Sequence, residues 1–216
     1  MARRGPAGKN RSVGEGRSSK TRSALVAAAI RALVEDGFVG ASARNIAERA
    51  GVNQGLVFYH FGSVTELLLA ALDEVSSIRM EAYGAAVATA SAPSELVEVA
   101  SRIFRNDLDS GYVKVLVEMI AGSGTSSELR AAVAARIAPW FEFTNNAIAG
   151  AMASSPFATL LPADDVAFAV VALYLGLELL THLDGDVAPA DRLFSHALLL
   201  TRGLAPIATS DQEPTL

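Results

Sequence analysis

The chain has 216 residues, about half of them apolar and none of them cysteine, with a formal net charge of −5. That length suits one large domain, or a small one beside a larger, with a substantial core. The missing thiols exclude disulfides, thiolate zinc sites and cysteine nucleophiles, and fit a reducing cytoplasm, the expected location. The charge is segregated. Residues 1–62 hold ten Lys/Arg against four Asp/Glu, and residues 63–216 hold eight against nineteen. A basic N-terminal third is drawn to phosphates while the acidic remainder is held off them, so the overall charge does not exclude a nucleic-acid partner.

Residues 1–18, rich in Gly, Ser and Arg and almost without apolar periodicity, read as a disordered basic arm. The arm contains no apolar run of the signal-peptide kind. Thr21 to Asp36 then carries Leu25, Ala28, Ala29, Ala32 and Leu33 at three-and-four spacing, a helix that Gly37 closes, and Phe38 follows as a plug for a small core. Ala41 to Phe61 parses as two brief helices joined by a tight turn. Ser42 caps Ala43–Ala50, Gly51 ends it, and Asn53 caps a second helix running to about His60. Ile46, Ala47 and Val52 hold that pair at an angle, leaving Gln54, Gly55, Leu56, Phe58 and His60 to face a partner. This is the shape of a helix-turn-helix, whose expected partner is the major groove of double-stranded DNA.

Ser63-Val64-Thr65-Glu66 is a capping box at the head of a long helix reaching about Thr89. The remainder reads as helical throughout, without period-two alternation. Helices are expected from Ala92-Pro93-Ser94 to about Asp109 and from Tyr112 to Ala121. Another follows a second capping box, Thr125 to Glu128, and is kinked at Pro139. Asp164–Leu183 and Pro189 to about Leu204 close the chain as an antiparallel hairpin with a short acidic loop. Val166–Leu183 is long and apolar enough to raise a membrane span. Glu178 and His182 interrupt it, and Asp184-Gly185-Asp186 ends it without a basic flank, so a core or interface helix is expected and no membrane.

Thr21-Arg22, Ala28-Ala29, Gly37-Phe38, Ile46-Ala47, Ala50-Gly51-Val52, Gly55, Tyr59-His60-Phe61 and Leu67-Leu68 together resemble the TetR family of bacterial transcriptional regulators, specifically over residues 20–70. The resemblance implies an all-α homodimer. Its parts are a three-helix helix-turn-helix DNA-binding domain (19–62), a larger helical effector-binding and dimerisation domain (63–208) and a disordered tail (209–216). By position, Arg44 and Gln54 match family residues that reach base edges, chemistry apt for guanine and adenine. Phe58 matches a base- or backbone-contacting position, and Ser42, Tyr59 and His60 match phosphate contacts, which fix register without reading sequence. Two positions depart from the pattern: Val64 stands where a lysine is common and Leu56 where a hydroxyl is common. The arm, through Arg17, Lys20 and Arg22 with Arg3, Arg4, Lys9 and Arg11, is expected to replace those phosphate contacts.

In the C-terminal part, Phe104, Met119 and Trp140, near the Pro139 kink, are the candidates to line a small-molecule effector pocket, with Asn145 or Glu178 as polar anchors. Tyr174, Glu178 and His182 form a polar stripe of i, i+4, i+8 spacing. No third ligand, nucleophile, paired carboxylates or phosphate loop accompanies it, so no metal, cofactor or catalytic activity is expected. Val170, Leu173, Leu177 and Leu180 make one apolar stripe, and Leu193, Ala197, Leu200 and Leu204 another. With the resemblance they imply a two-by-two dimer bundle. The expected function is a dimeric repressor released from its operator by a small molecule. The alternative is a helical small-molecule-binding or enzymatic protein of the same fold that does not act through DNA.

Overall fold

The computed structural model describes residues 9–153 and 162–203. Among these the chain is helical: α1 (Lys9–Gly40), α2 (Ala43–Ala50), α3 (Gly55–Phe61), α4 (Val64–Val87), α5 (Pro93–Ser110), α6 (Tyr112–Gly122), α7 (Ser127–Met152), α8 (Ala163–Asp184) and α9 (Ala188–Gly203), with one 3₁₀ turn at Ser123–Thr125. The all-α expectation holds. Two differences concern α1. Its helix begins at Lys9, so residues 9–18 are helical rather than the irregular arm that their composition suggested; a polar, serine-rich stretch lacks a face to bury, yet each added residue still gains a backbone hydrogen bond on a helix already nucleated. Residues 1–8, with Arg3 and Arg4, lie outside the described residues, as do Leu204 and the tail at 209–216. At the other end Gly37 breaks the helix as expected, with φ 73°, but one further turn runs to Gly40.

Caps follow local chemistry. The Ser42 Oγ accepts from the Asn45 N–H at 3.3 Å, and Gly51 closes α2 in the left-handed region at φ 67°. Asn53 Oδ1 accepts from the Gly55 N–H at 2.8 Å, and Ser63 Oγ accepts from the Glu66 N–H at 3.1 Å. The second capping box is corrected by one residue: Ser126, not Thr125, caps α7 by accepting from the Leu129 N–H at 3.0 Å, while the Thr125 hydroxyl donates to the Gly122 carbonyl.

The chain divides into two compact units, Met1–Arg79 with Gly111–Ile137, and Met80–Ser110 with Ala138–Leu216. The sequence reading put its domain boundary at 62/63; the contacts divide the chain inside α4 and α7 instead. The reason is a shared core. Leu25, Leu33, Ile46, Val57 and Leu67 of the N-terminal helices are fully buried in one cluster with Val115 and Met119 of α6 and with Leu129 and Val133 of α7. Side chains of this size contribute roughly 1.5–3 kcal/mol each when fully buried, so α6 is a structural support of the first unit.

In the second unit α5 is the element against which both α8 and α9 pack. Ion pairs at 2.9 Å, Arg105–Asp191 and Arg202–Glu98, join α5 to α9. By length and composition α8 is apolar enough to cross a membrane, yet within the unit only Ala167 and Glu178 of it are buried. It is therefore not a core helix of the single chain. Its apolar side is a surface.

Candidate functional site

The first unit builds a small exposed face on a rigid back. Ala43, Ile46 and Ala47 of α2 and Val57 of α3 are buried, and Val52, Leu56 and Phe61 pack against the same core. The turn between the two helices is fixed by Gly51, whose N–H reaches the Glu48 carbonyl at 3.1 Å, and by the Val52 N–H, which reaches Ala47 at 3.0 Å. With one side of α2 and α3 committed inward, the other must face solvent. Ser42, Arg44, Gln54, Gly55, Phe58 and Tyr59 are all exposed there, and His60 is half-buried. Tyr59, expected both to pack and to reach out, leaves its ring in solvent with only an edge contact to His60. Arg17, Lys20 and Arg22 are exposed along α1. Arg22 holds its guanidinium 4.9 Å above the ring of Phe61.

An ionic network missed in the sequence sets the angle of α2 on α1. The Arg49 guanidinium pairs with Glu35 and, at 2.6 Å, with Asp36, while its Nε–H donates to Asn45 Oδ1 at 2.6 Å. Asn45 in turn donates to Asp36 at 2.8 Å and to the Gly40 carbonyl at 3.2 Å. Hydrogen bonding to Glu35, reinforced by the charge of Asp36, raises the Arg49 pKa against the opposing cost of desolvation. The single charge of Arg49 is shared between the two α1 acids and offsets part of their negative charge. The available signal was an acidic pair, Glu35-Asp36, followed by an arginine in an otherwise basic segment.

The second unit holds a polar cluster in its interior. Asp107 is 2% exposed and accepts from the hydroxyls of Tyr83 on α4 and Tyr174 on α8, one on each carboxylate oxygen. Phe104 lies edge-on to Tyr174 at 6.0 Å, and Trp140 edge-on to Tyr83 at 6.1 Å. Glu178, one turn beyond Tyr174, is 3% exposed. Three of the expected effector contacts, Phe104, Trp140 and Glu178, thus belong to this unit, the first two linked through Tyr83, Asp107 and Tyr174. Met119 does not belong with them: it is buried in the core of the first unit, because α6 packs on α1. Asn145 is half-buried and donates to Asp164 at the head of α8. Asp107 was missed, although an acid three residues after Phe104, in the apolar register of α5, is a legible anomaly. The remaining member of the polar stripe, His182, is exposed.

The outer faces of α8 and α9 expose Val170, Leu173, Leu180, Leu193 and Leu200, with Leu177 and Ala197 half-buried among them. Phe168 and Leu199 add to this exposed apolar surface.

Residues 25–71 match the model of bacterial regulatory proteins of the tetR family. HTH-type transcriptional regulators of Mycobacterium tuberculosis and Mycobacterium bovis are 30% identical over 114 residues, covering 53% of this chain and 58% of theirs. The fold of a TetR-family transcriptional regulator from Cytophaga hutchinsonii superposes with a TM-score of 0.72 at 20% identity, over 87% of this chain and 96% of that one. Residues 25–71 form a domain of the TetR-family type. A TetR-family member from Streptomyces coelicolor A3 gives a TM-score of 0.61 at 26% identity, over 87% and 99% of the two chains. The matched region holds the helix-turn-helix of α2 and α3. The match to the mycobacterial regulators spans little more than half of their length.

Proposed function

We infer that the chain is a dimeric transcriptional repressor that reads operator DNA with α2 and α3 and leaves it when a small molecule binds the second unit. One observation carries the reading: the polar and aromatic residues that matched family contacts, Ser42, Arg44, Gln54, Phe58 and Tyr59, all stand exposed on, or at the N-terminal ends of, two helices whose opposite faces are buried. Arg44 and Gln54 read base edges; Ser42, Tyr59 and His60 with Arg17, Lys20 and Arg22 hold phosphates. Because residues 9–18 are helical, the basic segment before the domain acts as an extension of α1 and not as a loose arm. A mobility shift with the chain's own upstream DNA tests this. Arg44→Ala and Gln54→Ala should each lose about 1–3 kcal/mol of discrimination between operator and scrambled DNA. Equal binding of both DNAs by the wild-type chain would end the reading.

Release follows from a population shift. The effector must bind the arrangement of the two reading heads that does not fit the operator more tightly than the one that does, since equal affinity moves nothing. The interior cluster around Asp107, with Phe104, Trp140, Tyr174 and Glu178, offers such a ligand aromatic surface and hydrogen-bonding groups. Trp140 fluorescence should change on addition of any compound that releases DNA; a releasing compound that leaves it unchanged takes Trp140 out of the site.

A further inference from the structure

We propose that Glu118 is a positioning residue for DNA reading: its carboxylate, presented by α6, fixes the break in α1 from which the base-reading end of α2 is hung. The proposal rests on the reading of α2 and α3 as the DNA-contacting face. The Phe38 N–H loses its helical acceptor where Gly37 turns to φ 73°, and Glu118 Oε2 accepts from it at 2.8 Å. An orphan amide at a helix break needs such a partner, and a charged acceptor is the stronger kind. The site is built to fit. A Cβ at Gly37 would stand 2.9 Å from the same carboxylate oxygen, and a Cβ at Gly122 would stand 2.3 Å from the Phe38 ring, so glycine at both places lets the carboxylate and the ring seat together.

From this seat the backbone leads directly to the contact face. The Gly37 carbonyl accepts from the Ala41 N–H at 3.1 Å, the Gly40 carbonyl accepts from the Ser42 N–H at 2.8 Å and from the Asn45 side chain at 3.2 Å, and Ser42 caps the helix that carries Arg44. Each link lies within the first unit. If the Phe38 amide is released, the 37–42 segment gains freedom and Arg44 loses its fixed approach, while every basic side chain that binds phosphate remains. Loss of Glu118 should therefore cost discrimination and leave phosphate attraction in place.

The test pairs two measurements on the full chain: exchange of the Phe38 amide hydrogen without DNA, and the ratio of affinities for upstream and scrambled DNA of equal length. For E118A both amide protection and the affinity ratio should fall about tenfold, with scrambled-DNA binding and its salt dependence retained. E118Q keeps an acceptor oxygen and should restore most of both. E118D, which keeps the charge but shortens the reach, replaces the alanine variant should that one fail to fold. Unchanged protection and ratio overturn the proposal, as does E118Q falling as far as E118A, or parallel loss of both DNA affinities. A wild-type chain without discrimination removes the DNA reading itself, whereas a discriminating wild type matched by E118A removes only the role of Glu118.

Discussion

Arg22 shows how a single side chain can be both held and available. Its guanidinium sits 4.9 Å over the Phe61 ring, where α1 passes the end of α3. A contact of this kind at an exposed site is worth about 0.5–1 kcal/mol, and the guanidinium edge stays free for a phosphate. Arg22→Ala should weaken operator and scrambled DNA alike and lower the slope of log affinity against log salt by about 0.9, the share of one phosphate. Arg22→Lys should keep most of that slope; a slope unchanged in the alanine variant would take Arg22 out of the interface. Gly51 is a second residue whose effect can be isolated. It occupies φ 67° with no atom within 4 Å of an added Cβ, so Gly51→Ala meets strain without a clash. The cost should be about 1 kcal/mol, read as a lower urea midpoint at constant slope.

At the scale of elements, what was legible depended on how far a partner lies along the chain. Ser42, Gly51 and Ser63 act on groups within four residues, and their roles could be read directly. The start of α7 was misread by one residue because Thr125 and Ser126 are both hydroxyl caps in sequence; the choice is made by the Gly122 carbonyl, which takes the Thr125 hydroxyl at 2.8 Å. The acceptor role of Glu118 was not legible, since the Phe38 amide is 80 residues away, nor was that of Asp107, whose tyrosine partners come from α4 and α8. The head of α5 gives a pH prediction. The Ser91 N–H donates to Glu95 at 2.6 Å, and this bond first, with the Ser91 hydroxyl second, holds the Glu95 pKa below the ordinary carboxylate value. A depressed folded-state pKa means that the cap's contribution is complete above the unfolded carboxylate range and is lost as pH falls through the lowered value. Protection of the Ser91 amide should therefore persist at neutral pH and vanish only below the ordinary glutamate range, about pH 4.3. Glu95→Gln should remove that dependence. Loss of protection near neutral pH in the unmodified chain would contradict it.

For the whole molecule the decisive surface is the outer side of α8 and α9. A single chain that left Leu173, Leu180, Leu199 and Leu200 in water over two long helices would expose an apolar patch of the kind that soluble monomers rarely keep. Of these, Leu173, Leu180 and Leu200 fall on the two stripes expected to pair across a twofold axis, and two helices from each copy can form a four-helix bundle. Leu180 and Leu200 are 60% and 70% exposed, so neither holds the fold of one chain together. Aspartate at either place should leave the helical content of the protomer intact while setting an unpaired charge against its own copy in the bundle. Burying each leucine contributes roughly 1.5–3 kcal/mol, and in a symmetric dimer each substitution is felt twice, so L180D or L200D should raise the dimer dissociation constant by at least about a hundredfold. Light scattering at micromolar concentration should then report a dimer for the wild-type chain and a monomer for the variants. Operator affinity should fall with dimerisation, because one reading head reaches only one half-site. A variant that stays dimeric would move the interface elsewhere. A variant that becomes monomeric yet binds the operator undiminished would instead separate DNA reading from the pairing of α8 and α9.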